Sequence, residues 1–192
     1  MRRYVLSSIR MALVTMVLLG LVYPLVMTGL AQLVMPAQAD GSLITVNGSS
    51  VGSRLIGQNF TLPKYFHPRP SAAGNGYDPS SSGASNLAPT SRTLLEDVQA
   101  RVASATAEDP GVKAGDVPVD MVTASASGLD PDISVANALA QVPRVAQTRG
   151  LAEASVRTLV ESNVTGRQFG ILGEPRVNVL ELNLALDGVS YR

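Results

Sequence analysis

The sequence predicts an α/β protein: one N-terminal transmembrane helix followed by a single extracytoplasmic α/β domain with a small sheet and about three helices. Three features predict it. Residues 11–35 contain no Asp, Glu, Lys, Arg or His, and at about 1.5 Å per helical residue such a run crosses a hydrocarbon core of roughly 30 Å with some tilt. Residues 36–192 are enough for one domain with its own core and too few to favour two. Within them, short β-branched runs are interleaved with stretches of helical period.

Taken in order, residues 1–10 carry Arg2, Arg3 and Arg10, whereas the first charge after the apolar run is Asp40. The positive-inside rule therefore leaves residues 1–10 in the cytoplasm and residues 36–192 outside, as in a single-pass protein of the inner or plasma membrane. A cleaved secretory signal is the alternative, because Ala37, Gln38 and Ala39 form a small-x-small pattern. A signal core of about 7 to 15 residues is much shorter than this run, which favours a retained helix. Pro24 removes one helical hydrogen bond and predicts a kink. Ala12, Thr15, Gly20, Thr28 and Gly29 would let a second helix approach closely.

Of 15 basic and 15 acidic residues, three basic ones and no acidic one precede the run, so the exported part carries a net charge of −3. That argues against nucleic acid and against an anionic lipid surface as partners. Without cysteine there are no disulfides, thiolate metal sites or cysteine nucleophiles. Scarce aromatics and the lack of Trp speak against a stacking platform for bases or sugars.

Beyond the membrane, residues 41–45 and 51–58 read as two short strands joined through Asn47-Gly48, a hairpin dipeptide. Residues 62–91 turn to Pro, Gly, Ser and Asn and keep no period. A disordered linker is one reading; Tyr65, Phe66 and Leu87, with the restricted Pro68 and Pro70, favour an ordered surface loop that binds something. Residues 90–107 predict a helix capped by Thr90 or Ser91, packing on the core through Leu94, Leu95, Val98 and Val102. Residues 117–123 alternate and predict a strand. It runs into a small-residue turn at 124–131 and a helix from about Ser134, kinked at Pro143 and stopped by Gly150. Residues 151–163 predict another helix, with Val156, Leu159 and Val160 inward. Residues 176–181 predict a strand, and residues 182–186 either extend it or turn helical.

Catalytic templates are scarce. His67 is the single histidine and has no second His or Cys for a metal site. No P-loop and no helix-opening GxGxxG occurs. Ser125 and Ser127, beside Gly128, lack a surrounding GxSxG and suit turn hydrogen bonding. Asp130 and Asp132 suggest either a cation site or charge complementing a helix start. Gln141, Arg144, Asn178 and Asn183 each interrupt an apolar pattern, as residues do that cap a helix, bond a loop or bind a partner.

Six motifs, GSRLIGQNF (52–60), YFHPRPSA (65–72), SGASNL (82–87), VTASASGLDP (122–131), QVPRVAQTR (141–149) and VNVLELNLALD (177–187), together resemble the C-subunit family, KdpC, of Kdp potassium-transporting ATPases. The resemblance covers nearly the whole chain, including Tyr23-Pro24 in the apolar run. Ala84 and Pro68 depart from glycines expected there. The resemblance implies a membrane complex with a channel-like potassium-translocating subunit, a P-type ATPase subunit and a small single-span subunit. This chain has neither a DKTG phosphorylation sequence nor a TVGYG-like filter. The implied role is therefore a non-catalytic accessory needed for assembly and activity, with no cofactor of its own, ATP and potassium being handled by the complex. The resemblance also implies a catalytic chaperone that raises the ATP affinity of the ATPase subunit, for example through Gln141, although the topology places the domain away from cytoplasmic ATP. The residues singled out as partner- or ion-facing are Arg69, Asn86, Ser127, Gly128, Asp130, Gln141 and Arg144. Residues 65–86 and 127–131 would form an outer cap over the ion entrance. An anchored extracytoplasmic serine hydrolase using Ser127, or a sensor domain, is the alternative from another class.

Overall fold

A computed structural model describes residues 1–190. The chain forms two units, Met1–Leu43 and a domain from Ile44 onward.

In the first unit α1 (Arg2–Val17), a π-helical turn at Leu18–Val22 and α2 (Tyr23–Val34) make one continuous helix of 33 residues, none of them buried. It is long and apolar enough to cross a membrane. At about 1.5 Å per residue, the part from Arg10 to Val34 alone spans roughly 36 Å, so the three arginines fall at or beyond one edge of a hydrocarbon core. The π turn lies just ahead of Pro24, and the Tyr23 N–H bonds the Leu18 carbonyl five residues back. The proline's missing donor is thus absorbed by a local widening of the helix. The hydroxyl of Thr15 donates to the Met11 carbonyl at 2.8 Å, so it is satisfied within its own helix. The helix ends at Met35, and α3 (Pro36–Ala39) follows as a single turn containing the small-x-small sequence.

The domain opens on a hairpin of β1 (Leu43–Val46) and β2 (Ser49–Ser53), with Asn47 and Gly48 both at positive φ, 51° and 80°. That is the turn the Asn-Gly pair predicts. After a long loop containing one 3₁₀ turn (Pro79–Ser81) come α4 (Arg92–Glu108) and α5 (Val119–Val122). Next are β3 (Asp132–Ser134), α6 (Val135–Arg149), α7 (Glu153–Ser162), β4 (Val164–Thr165), β5 (Arg176–Asn178) and α8 (Val179–Leu186). A second, antiparallel sheet has the order β3-β5-β4, with Ile133 and Val164 both opposite Val177. The core sits where α6 and α7 cross this sheet and α8: Val142 and Val145 meet Val156, Val160, Val177 and Leu182, and Phe66 from the loop completes it. Side-chain caps start α6 where the sequence predicts a helix start and α8 where it predicts a strand. Ser134 accepts from Asn137 N–H and Asn178 from Glu181 N–H, and Gly150 closes α6 at φ 66°.

Three expectations are corrected. Residues 117–123 hold the helical turn α5 instead of a strand, because Pro118 presets its start and the Asp120 carboxylate is committed to the next helix, accepting from Ser134 N–H, Ser134 Oγ and Asn137 Nδ2 at 2.7, 2.8 and 3.0 Å. α4 forms as predicted but does not enter the core: Leu95 is 56% exposed and only Ala105 is buried. The strand at 176–181 stops at Asn178, whose side chain caps α8, so Val179, Leu180 and residues 182–186 are helical. α6 runs through Pro143 uninterrupted.

Candidate functional site

The polar residues that interrupt the apolar helix faces converge on one segment of the long loop. Asn183 of α8 grips Phe66 by both backbone groups: its Oδ1 accepts from the Phe66 N–H at 2.9 Å and its Nδ2 donates to the Phe66 carbonyl at 3.0 Å. Gln141 of α6 does the same to His67, accepting at 2.7 Å and donating at 3.0 Å. Two side-chain amides thus replace the neighbouring strand that an extended segment would otherwise need. The Phe66 ring is driven into the core with no exposed area.

Gln141 has no bonding capacity left. Its Nε2 also donates to Asn137 Oδ1 at 2.7 Å and its Oε1 also accepts from Arg144 Nη2 at 2.6 Å, which fills two donors and two acceptors. Arg144 sends Nη1 to the carbonyls of Pro63 and Tyr65 at 2.6 and 2.9 Å, and Nε to Asp109 at 2.7 Å. The Arg144–Asp109 pair is nearly dry, with side chains 6% and 3% exposed. Burial pushes the Asp109 carboxyl up against the opposing pull of Arg144. His67 lies beside this pair, its Nε2 3.1 Å from the Leu62 carbonyl and its Nδ1 3.6 Å from Glu108. Burial and the Arg144 charge hold its pKa below the ordinary imidazole value.

A second set of bonds fastens the loop to the turn after α5. Ser71 Oγ donates to the Gly128 carbonyl at 2.6 Å, the Gly83 N–H to the Ser127 carbonyl at 2.9 Å and the Gly57 N–H to the Leu129 carbonyl at 2.8 Å. Gly128 must be glycine. Its φ is +68°, and a Cβ there would stand 2.6 Å from the Ala73 nitrogen. Arg69 donates to Asp130 at 2.7 Å, and the Tyr77 hydroxyl donates to the Arg69 carbonyl at 2.7 Å. The Arg69 Nε is buried with no hydrogen-bond partner among the described residues. Asp132 is paired in turn with Arg176 at 2.8 Å. Between the loop, α4 and α6 lies a cavity of about 410 Å³, lined among others by His67, Arg69, Tyr77, Arg101 and Glu108.

Each residue singled out from the sequence can now be placed. Gln141 and Arg144 belong to the first clamp; Arg69, Ser127, Gly128 and Asp130 belong to the second. Asn86 lies apart from both, exposed, at φ 52°. Ser125 Oγ accepts from the Gly128 N–H and Ser127 Oγ from the Leu129 N–H, which is turn bonding. Sequence reading passed over Gly48, Ser50 and Gly52, a GxSxG match; they lie on the exposed hairpin and not on a strand-to-helix turn. It also missed Asp109 and Asp120, whose acidic side chains carried no signal apart from their partners. Among the described residues no group of three or more His, Asp or Glu side chains gathers to hold a metal.

A family model described as K+-transporting ATPase, c chain, matches residues 5–188. The chain is 55% identical over 188 residues to the potassium-transporting ATPase KdpC subunit of Koribacter versatilis, covering 98% of this chain and 96% of that one. It is 58% identical to the subunit of the same name from Acidobacterium capsulatum, covering 94% and 96%, and 59% identical to that of Gemmatimonas aurantiaca, covering 89% and 85%.

Proposed function

This chain belongs to the KdpC family, the c chain of K+-transporting ATPases, and from that membership we propose that it is the accessory subunit of an ATP-driven potassium import complex, needed for assembly and activity. The observation that carries this reading is the helix Arg2–Val34, apolar, membrane-length and buried nowhere along its length. Such a helix is matched to lipid and to other transmembrane helices. Its partners are a channel-like potassium-translocating subunit, a P-type ATPase subunit and a small single-span subunit. The N-terminal arginines favour a cytoplasmic N-terminus, which puts the domain outside as a cap over the ion entrance.

The clamps bear on how such a cap would act. Asp130 and Asp132 each face an arginine, so their charges are already answered, and the groups the loop leaves to face a cation are its carbonyls and the carboxylate of Asp78, which accepts from Ser80 and has no ion pair among the described residues. A chaperone effect on ATP affinity through direct contact with Gln141 would require breaking bonds that Gln141 makes within its own chain. An effect passed through subunit contacts requires none of this. The test is to tag the C-terminus, extract in mild detergent from potassium-starved cells and identify stoichiometric partners. Recovery with a P-type ATPase and a channel-like subunit, and loss of potassium-stimulated ATPase when this chain is deleted, is the expected result. Recovery of the chain alone overturns the proposal.

A further inference from the structure

The connection between β4 and β5, residues 166–175, plays no part in the clamps, yet among the described residues it carries the two most exposed large apolar side chains of the domain and a third beside them. Phe169 is 92% exposed, Ile171 76% and Leu172 54%. Isolated apolar residues on a surface are ordinary, but three large ones gathered on one short projection mark an interaction site. The projection is also built. Gln168 and Leu172 exchange both backbone bonds at 2.9 Å. Phe169 and Gly170 turn the chain at φ 53° and 77°, and Arg167 pairs with Glu174 at 2.7 Å across the base. Phenylalanine at positive φ is a strained choice, of order 1 kcal/mol or more. The strain sets the ring at the outermost point of the turn.

We propose that the tip Phe169–Gly170–Ile171–Leu172 is a preformed knob that docks into an apolar socket on another protein subunit of the transport complex. This rests on the accessory-subunit reading above. Charge favours a protein over lipid: among the described residues of the connection the one cation ahead of the tip, Arg167, is occupied by Glu174, Glu174 is itself 79% exposed, and the exported part carries a net −3. Fingers that enter anionic membranes depend on free lysines and arginines around the apolar tip. A fixed turn favours a shaped socket in the same way, since lipid gains nothing from a preset backbone, whereas a complementary pocket is spared the ordering cost.

The chain has no cysteine, so Ile171→Cys places a single thiol at the tip and Ala114→Cys a control on an exposed loop. Each full-length variant is labelled with a water-soluble maleimide, once in the purified complex and once alone in detergent. In the complex, labelling of I171C should slow about tenfold or more, as expected for the dry centre of an interface, while A114C labels equally in both. A photoactivatable cross-linker on I171C should join this chain to another subunit. Equal labelling of I171C in the two states, in a complex that has co-purified, overturns the knob while leaving the accessory-subunit reading intact; failure to co-purify removes both. Cross-linking only between two copies of this chain overturns the proposal in favour of self-association. Quenching of a fluorophore on I171C by nitroxide lipids in vesicles holding this chain alone overturns it in favour of lipid. Phe169→Ser/Ile171→Ser/Leu172→Ser should weaken subunit retention about tenfold or more, with an unaltered thermal midpoint for the domain.

Discussion

At the scale of single residues, the clamp around Phe66 and His67 gathers the buried polar side chains Asp109, Asn137, Gln141, Arg144 and Asn183. Arg144→Ala leaves the buried Asp109 carboxyl without its partner, to be carried unpaired or protonated in a dry site, and frees two loop carbonyls, so unfolding in denaturant should show a loss of about 3–5 kcal/mol. Arg144→Lys should recover little, because a point charge cannot fork to the four partners Asp109, Pro63, Tyr65 and Gln141. His67 supplies a pH dependence. Its folded pKa lies below its unfolded value, so between the two the unfolded chain binds more protons and stability rises with pH. The contribution is complete above about pH 6.5 and is lost as pH falls through that value toward the folded pKa. The difference between wild type and His67→Gln in thermal midpoint should therefore grow from pH 8 to pH 5 in favour of the variant. Gln141, Arg144, Asn178 and Asn183 were legible as polar interruptions of apolar faces. Their partners were not, because each bond to the loop joins positions at least 74 residues apart.

At the scale of elements, local chemistry predicted what local chemistry controls. The Asn47-Gly48 turn, the Ser91 and Ser134 caps and the Gly150 stop all lie where the sequence puts them. Failures came where seven or fewer residues had to decide between periods of 2 and 3.6, as at 117–123 and 176–181, and where an amphipathic stripe was assumed to find the core, as in α4. Asn178 shows how one residue settles such a case. Its Oδ1 caps α8 and its Nδ2 holds the Arg54 carbonyl at 2.9 Å, so the strand must end there. Asn178→Ala should cost about 1–2 kcal/mol by thermal or denaturant unfolding, and Asn178→Asp, which keeps the cap but loses the amide donor, should fall between. Gly128→Ala should cost about 1–2 kcal/mol or more from the positive φ alone. Hydrogen exchange should then show the amides of Gly57 and Gly83 opening faster, since both bond the displaced turn.

At the scale of the whole molecule, the division at Leu43 and Ile44 leaves the domain with all of its clamps and its core. A fragment starting at Gly41 should therefore be soluble without detergent and unfold in one cooperative transition by circular dichroism. A broad, non-cooperative transition would show that the loop depends on the membrane helix or on partners. The membrane helix itself was legible from composition alone. Its π turn was not, since nothing in the sequence distinguishes a proline absorbed by a widened turn from one that bends the helix.

The clamps also impose an order in time. Phe66 and His67 leave the ribosome early, but the amides that hold them, Gln141 and Asn183, follow 74 and 117 residues later. At about 5–20 residues per second, roughly 4–15 seconds of synthesis pass before Gln141 can fasten the Pro-rich segment and roughly 6–23 seconds before Asn183 can. Long-range closures of this kind slow folding. The domain completes itself only when its last helix arrives, and a chain truncated before Asn183 would be released with Phe66 unburied, a form suited to disposal.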